Sequence, residues 1–453
     1  MRSLNIFSDS LLISFLGFIT IFFLLIFGKK LKLAVQLERF GLPIAVISGI
    51  AGLLIGPFGF IHFLSQETIN VWSKFPTPLL ALVFATLMMG RPIPNINGLV
   101  KPIFNQFLLA LSLGFGQFLV GGLLVKYLLP PSMNTNPLMG CLIEVGFEGG
   151  HGAASIIGES FDRLGFPSGL DLGLAMATMG LLSSSLLGSV FIFIGRTLGL
   201  SDTEVISEKK DNQNLNADKG IFADLRILII NLGFSGLAIS FGVLLLKFLK
   251  YISSFFGDFS KEIIFSLPAF PFILIGSLLL RYILEKTNNT ELISNILQRE
   301  IGILSTDLLI FTAMASLDIA VVFENWIIIL VFTIFGLFWN LICIAYFAFF
   351  IFDDYWFEKS LIEFGNSTGV VASGLLLLRL ADPKNISRTL PIFTSKQLFA
   401  QLILSGGLFT VLAPLMISKI GIDYWTEICA VITFAILLVA LIFNKGEMIK
   451  FLK

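Results

Sequence analysis

The chain has 453 residues, of which 56% are apolar and only 13% charged, about half the ~25% usual for a soluble domain. A mean hydropathy of +0.92 makes lipid its solvent, and a net charge of zero leaves a nucleic-acid partner no electrostatic footprint. Cys141, Cys343 and Cys429 all sit in apolar stretches, with neither metal-ligand spacing nor a disulfide framework, and read as small buried hydrophobes.

A helix needs about 20 mostly apolar residues to cross a bilayer. Taken in chain order, that rule predicts spans near 10–28, 40–61, 77–92, 102–129 and 169–197. A second set follows near 226–252, 262–285, 301–322, 325–352 and 393–418, and a last span near 424–444. The first is read as a retained span rather than a signal peptide, because Gly28-Lys29-Lys30-Leu31-Lys32 stands where a small-residue cleavage site would be. Two apolar stretches, 138–164 and 360–382, are too interrupted by Gly and small polar residues to sit in hydrocarbon as plain helices. Irregular backbone at membrane depth is tolerated only inside protein or beside a water-filled cavity, so both read as re-entrant hairpins. Ser201–Lys219 has the composition of a solvated linker.

The chain repeats itself. Leu142-Ile143-Glu144-Val145-Gly146 recurs as Leu361-Ile362-Glu363-Phe364-Gly365 at an offset of 219. Gly152-Ala153-Ala154-Ser155 then pairs with Gly369-Val370-Val371-Ala372, and Asp162 with Asp382. Each half runs four spans, a hairpin and one span. Five full spans per half is an odd number, so the second half enters the membrane upside down, as in many secondary transporters. The predicted fold is an all-α polytopic membrane protein of two inverted five-span repeats, each with a re-entrant hairpin, plus one extra C-terminal span. Its parts are a first repeat over 1–199 with hairpin 138–164, a cytoplasmic polar linker over 200–222, a second repeat over 223–420 with hairpin 360–382, and the extra span and tail over 421–453. The side bearing the linker and the C-terminus receives 22 of the 30 Lys and Arg, the other side 8. By the positive-inside rule the first is cytoplasmic, which puts the N-terminus outside, the C-terminus inside, and the protein in the bacterial cytoplasmic (inner) membrane. Hairpin 1 then dips from outside and hairpin 2 from inside.

Candidate site residues concentrate in the hairpins. Hairpin 1 carries Gly146-Phe147-Glu148-Gly149-Gly150-His151-Gly152-Ala153-Ala154-Ser155. Its glycines allow sharp reversal and expose backbone groups. Carbonyls suit a sodium ion, and N–H groups at a helix start suit a carboxylate. A charge at the bilayer centre costs at least ~2.5–3.5 kcal/mol, so Glu144 and Glu148 point to a pathway; the bland reading is that they are solvated at its mouth. His151 reads equally as a structural, hydrogen-bonding histidine. Hairpin 2 carries Glu363-Phe364-Gly365-Asn366-Ser367-Thr368-Gly369, which adds neutral oxygens and donors. Arg379 could fork onto a substrate carboxylate, or it snorkels to the surface or pairs with Asp382. The small residues of 169–197, including Ala177-Thr178-Met179-Gly180, are read first as helix packing. Asp307 lies within a span or, as readily, solvated near its inner end. Substrate is expected at Glu148, Gly149, Gly150, His151, Gly152, Ser155, Asn366, Ser367, Thr368, Gly369 and Arg379. Sodium, as a coupling ion and not a prosthetic group, is expected at Glu144, Gly146, Thr178, Glu363, Gly365, Asn366 and Thr368.

At these residues the sequence resembles the glutamate:sodium symporter family, as a divergent member. The resemblance is carried by Gly149-Gly150-His151-Gly152-Ala153-Ala154 followed by Ala177-Thr178-Met179-Gly180. It implies ten spans, two re-entrant hairpins, a homodimer, and sodium-coupled uptake of glutamate by an elevator motion. The chain departs from the family at Gly365-Asn366-Ser367-Thr368-Gly369-Val370 and in its eleventh span. The expected function is therefore secondary active transport: sodium-coupled symport of glutamate or a related small carboxylate. The alternative is a proton-coupled or exchange carrier of another small organic anion, with Glu144, Glu148, Glu363 and His151 shuttling protons. A channel suits the hairpins less. An enzyme is not expected, since the histidines are His62 and His151 alone, without HExxH or Gly-x-Ser-x-Gly.

Overall fold

The computed structural model describes residues 2–34, 44–59, 61–90, 98–129, 135–200, 221–255, 261, 264–265, 267, 269–382 and 386–444. The predicted linker over 201–219 lies outside them. The described residues form helices and turns, with no strand among them. Lipid explains this, because a helix satisfies every backbone N–H and C=O within its own segment.

The chain divides into two compact units, one of Met1–Thr77, Ile96–Ser201 and Asp307–Lys453, the other of Pro78–Asn95 and Asp202–Thr306. The smaller unit is built from α9 (Ile221–Ser253), α10 (Phe270–Lys286) and the adjoining stretches of α4 (Pro76–Met89) and α11 (Asn295–Ala315). Its glycines set the helix spacing: a Cβ on Gly242 would stand 2.4 Å from the Ile273 backbone N, and one on Gly276 2.7 Å from the Ala238 carbonyl. Arg281 is buried there, donating to Glu285 Oε1, Asn295 Oδ1 and the Met89 carbonyl.

The larger unit begins with α1 (Arg2–Ala34), α2 (Ile44–Ile55) and α3 (Gln66–Trp72). Ile21, Leu64, Ile69 and Trp72 pack there on Phe311 and Ala315 of α11. Then come α5 (Val100–Leu123), α6 (Leu142–Phe147), α7 (Gly150–Arg163) and α8 (Gly169–Thr197). The last part holds α12 (Ile319–Glu324), α13 (Trp326–Ile342), α14 (Trp356–Ala381), α15 (Thr389–Ile403) and α16 (Leu408–Phe443).

Among the described residues seven helices are long and apolar enough to cross a membrane. The sequence predicts eleven plain spans, and the differences have local causes. Ile44–Ile55 has 12 residues, about 18 Å of helix at 1.5 Å per residue. The α10 helix has 17 residues, and α11 carries Arg299, Glu300 and Asp307. Two of the seven are not single rods. The predicted span 393–418 is broken at Leu404–Gly407, where Ser405 and Gly406 have positive φ, and α16 is broken again at Gly421. The α14 stretch folds back on itself.

Both predicted hairpin segments reverse direction. In the first, a short 3₁₀ turn (Pro137–Cys141) and α6 run in, Gly150 turns the chain at φ +65, and α7 runs out. Its open end is closed where Asn136 Nδ2 donates to the Gly165 carbonyl at 3.0 Å. In the second, Gly369 and Val370 leave helical geometry. The arms on either side lie so close that a Cβ on Gly365 would meet the Gly374 backbone N at 2.6 Å. Each hairpin follows a helix that ends in a π-helical turn, Leu124–Leu128 after α5 and Cys343–Phe347 after α13.

The α8 helix is a rail shared by both hairpins, and its small residues are the reason. Gly169, Gly173 and Gly146 bring it against hairpin 1, facing Phe161, Ala154 and Met176 respectively. Gly188 and Gly195 bring it against Leu377 and Phe357 of α14. Gly180 sits at the crossing, where a Cβ would stand 2.2 Å from the Thr368 carbonyl and 2.7 Å from the Phe147 ring. The packing reading of this small-residue stripe agrees with these contacts.

Candidate functional site

The two hairpin tips meet. A Cβ on Gly150 would stand 2.4 Å from Val370 Cγ1, so only glycine lets the tips approach this closely. Around that meeting point the protein buries three glutamates, a lysine, a histidine and several amides.

On the hairpin 1 side, Glu144 and Glu148 share one partner. Ser405 N–H donates to Glu144 Oε1 at 3.1 Å, and its hydroxyl donates to Glu148 Oε1 at 2.8 Å. Thr410 Oγ donates to Glu144 Oε1 at 2.6 Å. The break between α15 and α16 is what aims Ser405 inward, through its φ of +58. The second oxygen of each carboxylate, Glu144 Oε2 and Glu148 Oε2, is buried with no hydrogen-bond partner. Glu148 Oε2 lies against bare α5 backbone, 2.8 Å from where a Gly114 Cβ would be. Two buried carboxylate oxygens without donors are costly, and a cation or a proton is what relieves that cost.

On the hairpin 2 side the glutamate itself is partnered at both oxygens. Lys396 Nζ stands 2.7 Å from Glu363 Oε1 and 2.9 Å from Oε2, both side chains being 0% exposed. It also donates to Gln397 Oε1, and Gln106 Nε2 donates to Glu363 Oε1. Toward the tip, Gln117 Nε2 donates to the Ser367 carbonyl at 2.7 Å and to Asn340 Oδ1. Asn340 Nδ2 donates to Thr368 Oγ at 3.0 Å. Asn366 Oδ1 accepts from Gln397 Nε2, while its own Nδ2 is buried without a partner. Orphaned acceptors (Glu144, Glu148 and Gln117 Oε1) and an orphaned donor (Asn366) thus occur in one neighbourhood, the mixture a cation and an anion together would satisfy.

Other predicted residues take definite places. His151 Nε2 lies 3.1 Å from Thr178 Oγ. The Thr178 hydroxyl donates to the Leu174 carbonyl, so the histidine is the donor in the pair. Ser155 Oγ donates to the His151 carbonyl in its own helix. Gly149 and Ser155 are half-buried, and Gly152 is buried. Gly146 and Gly365 serve close packing, on Met176 and on Gly374, and the Gly365 carbonyl faces Ser184 Oγ at 3.5 Å. Arg379 is not gathered into the cluster: it is exposed on the arm of hairpin 2 that leads away from the tip. Asp382 is engaged by the Ile386 and Ser387 backbone N–H groups.

Sequence reasoning missed Lys396, Gln397, Ser405, Thr410, Gln106, Gln117 and Asn340. Lys396 lies at the start of the predicted span 393–418, where a lysine reads as an interfacial charge, and the structure shows it fully buried against Glu363. A lysine followed by a nearly charge-free apolar run was the available signal.

The described residues are those of an all-helical, multi-pass membrane protein with a buried charged cluster. The chain belongs to the sodium/glutamate symporter family, whose model matches residues 12–355. No curated protein matches it. Among solved structures it is similar to the sodium proton antiporter MjNhaP1 from Methanocaldococcus jannaschii at pH 8, with 14% identity over 89% of this chain and 99% of that chain and a TM-score of 0.37.

Proposed function

We propose that this chain is a sodium-coupled symporter of glutamate or a related small carboxylate, working by elevator-type alternating access. The observation that carries this reading is the meeting of the two hairpin tips at Gly150 and Val370 beside orphaned buried acceptors. Sodium is taken at Glu144 and Glu148 with the oxygens around them. The substrate carboxylate is taken by the free N–H groups that open α7, at Gly150, His151 and Gly152, with Asn366 Nδ2 as a further donor. Ser367 and Thr368 shape the opposite wall, and Arg379 is left out. The repeats 1–199 and 223–420 are inverted, the hairpins enter from opposite faces, and the hairpin-bearing part moves against a homodimer scaffold. The protein lies in a bacterial cytoplasmic membrane with its N-terminus outside. Family membership supports sodium and transport; it supports glutamate less, because the match ends at residue 355, before hairpin 2.

The unpartnered oxygens of Glu144 and Glu148 favour a second reading, in which protons replace sodium as the coupling ion. Proteoliposome uptake of radiolabelled glutamate separates the two. An inward sodium gradient is expected to drive accumulation, and a proton gradient in choline medium is not. Uptake driven by the proton gradient alone would establish the second reading, and no uptake of glutamate or any dicarboxylate under either gradient would defeat both.

A further inference from the structure

The two hairpins place a glutamate at matching positions, Glu144 and Glu363. Their surroundings differ in one respect that sequence symmetry does not anticipate. Among the described residues no cation lies within ion-pair distance of Glu144 or Glu148, whereas Glu363 is held by Lys396.

The Lys396 ammonium is placed as a bound ion would be. It touches three oxygens, Glu363 Oε1 at 2.7 Å, Glu363 Oε2 at 2.9 Å and Gln397 Oε1 at 2.9 Å. The Phe393 ring covers it, with its centroid 4.5 Å away, so the face without oxygens meets a π-system that favours a cation. Nothing of it reaches solvent or lipid. Burying an ammonium costs several kcal/mol before any pairing, and an apolar side chain would fill the same volume without that cost. The lysine is therefore there for its charge. Glu363, Lys396, Gln397 and Phe393 all lie beyond residue 355, where the family match stops.

We propose that the Lys396 ammonium is a tethered cation that fills, at hairpin 2, the place a dissolved coupling ion takes at hairpin 1. This rests on the sodium reading above for hairpin 1 but makes its own demand on hairpin 2. With the lysine in place the chain needs one dissolved sodium fewer, because part of the cation charge beside the substrate is built into the protein. Removing the ammonium while leaving the oxygens creates a sodium site.

The test is direct binding of radiolabelled sodium to the full-length purified chain, which needs no substrate. Lys396→Ser opens room and keeps all three oxygens. It is expected to bind about one more sodium per chain than the wild type, and the Hill coefficient of sodium-dependent uptake rises by about one. Lys396→Arg keeps the charge and adds no site. A folded Lys396→Ser protein that binds no more sodium than the wild type overturns the proposal, as does a gained site in Lys396→Arg. If Lys396→Ser unfolds on purification, sodium in the medium is expected to rescue it and choline is not; equal loss in both salts also overturns it. A wild type that binds no sodium while Lys396→Ser binds it would sink the sodium reading of hairpin 1 and leave the tethered cation standing.

Discussion

Hairpins 1 and 2 share a plan and differ in chemistry. Each reverses the chain at a positive φ, +65 at Gly150 and +64 at Val370, and each is gripped by α8. At Gly150 that backbone is relaxed, because glycine has no Cβ. At Val370 the φ and ψ of 64 and 174 fall in a region that only glycine occupies comfortably, so the tip is strained. The charges divide in the same way: hairpin 1 has two carboxylates with free oxygens and no ammonium, and hairpin 2 one carboxylate closed by a lysine. A repeated scaffold can thus carry one open cation place and one filled one.

The sharpest way to break this contrast is to neutralise the glutamates one at a time. Glu363→Gln strands the buried Lys396 ammonium, and breaking a buried pair from one side costs about 3–5 kcal/mol. Thermal unfolding in detergent should show that loss. The double change Glu363→Gln with Lys396→Met removes both charges and should restore most of it. Glu148→Gln strands nothing, because no cation pairs with Glu148. Its stability should be unchanged or raised, while sodium-dependent uptake is lost. If the two Gln variants lose the same stability, the division of labour between the hairpins is wrong.

Next in size is the contact between the tips. Gly150→Ala forces a non-glycine residue to φ +65, costing about 1–2 kcal/mol, and drives its Cβ to 2.4 Å from Val370 Cγ1. Val370→Gly relieves strain of order 1–3 kcal/mol and removes that methyl. The pair should be non-additive, with Val370→Gly recovering more stability in the Gly150→Ala background than in the wild type. A strictly additive cycle would mean that the tips do not touch.

The helix breaks at Gly150 and at Gly369 and Val370 were legible in the sequence, because hydrocarbon does not tolerate glycine-broken, polar-studded segments as plain helices. The buried carboxylates were legible for the same reason. Lys396 was not, because a lysine just after a loop reads as an interfacial charge unless its partner is known, and that partner is 33 residues away. Ser405 and Thr410 were hidden differently. They lie in a stretch whose apolar composition predicts an unbroken span, and the break at Ser405 and Gly406 is a backbone event that composition does not announce. Gln106 and Gln117 of α5 and Asn340 of α13 are scattered amides in largely apolar helices, and only tertiary packing turns them toward hairpin 2.

The smallest effect is expected at the open ends of the hairpins, away from the charges. Asn136 accepts from Leu138 N–H at 2.9 Å and donates to the Gly165 carbonyl at 3.0 Å, tying the entry of hairpin 1 to its exit. Hairpin 2 is finished differently, by Asp382 receiving the N–H groups of Ile386 and Ser387 at 2.8 and 2.9 Å. Both devices fix where an arm leaves the hairpin, and neither touches the tip. Asn136→Ala removes two hydrogen bonds at a partly exposed site, each worth about 0.5–1.5 kcal/mol net. Hydrogen exchange should therefore quicken at Leu138 and Phe166, while sodium affinity stays within about twofold of the wild type, a difference of under ~0.5 kcal/mol. A large loss of sodium affinity would mean that the tip geometry depends on the open end, and that hairpin 1 moves as a lever rather than resting against α8 as a fixed element.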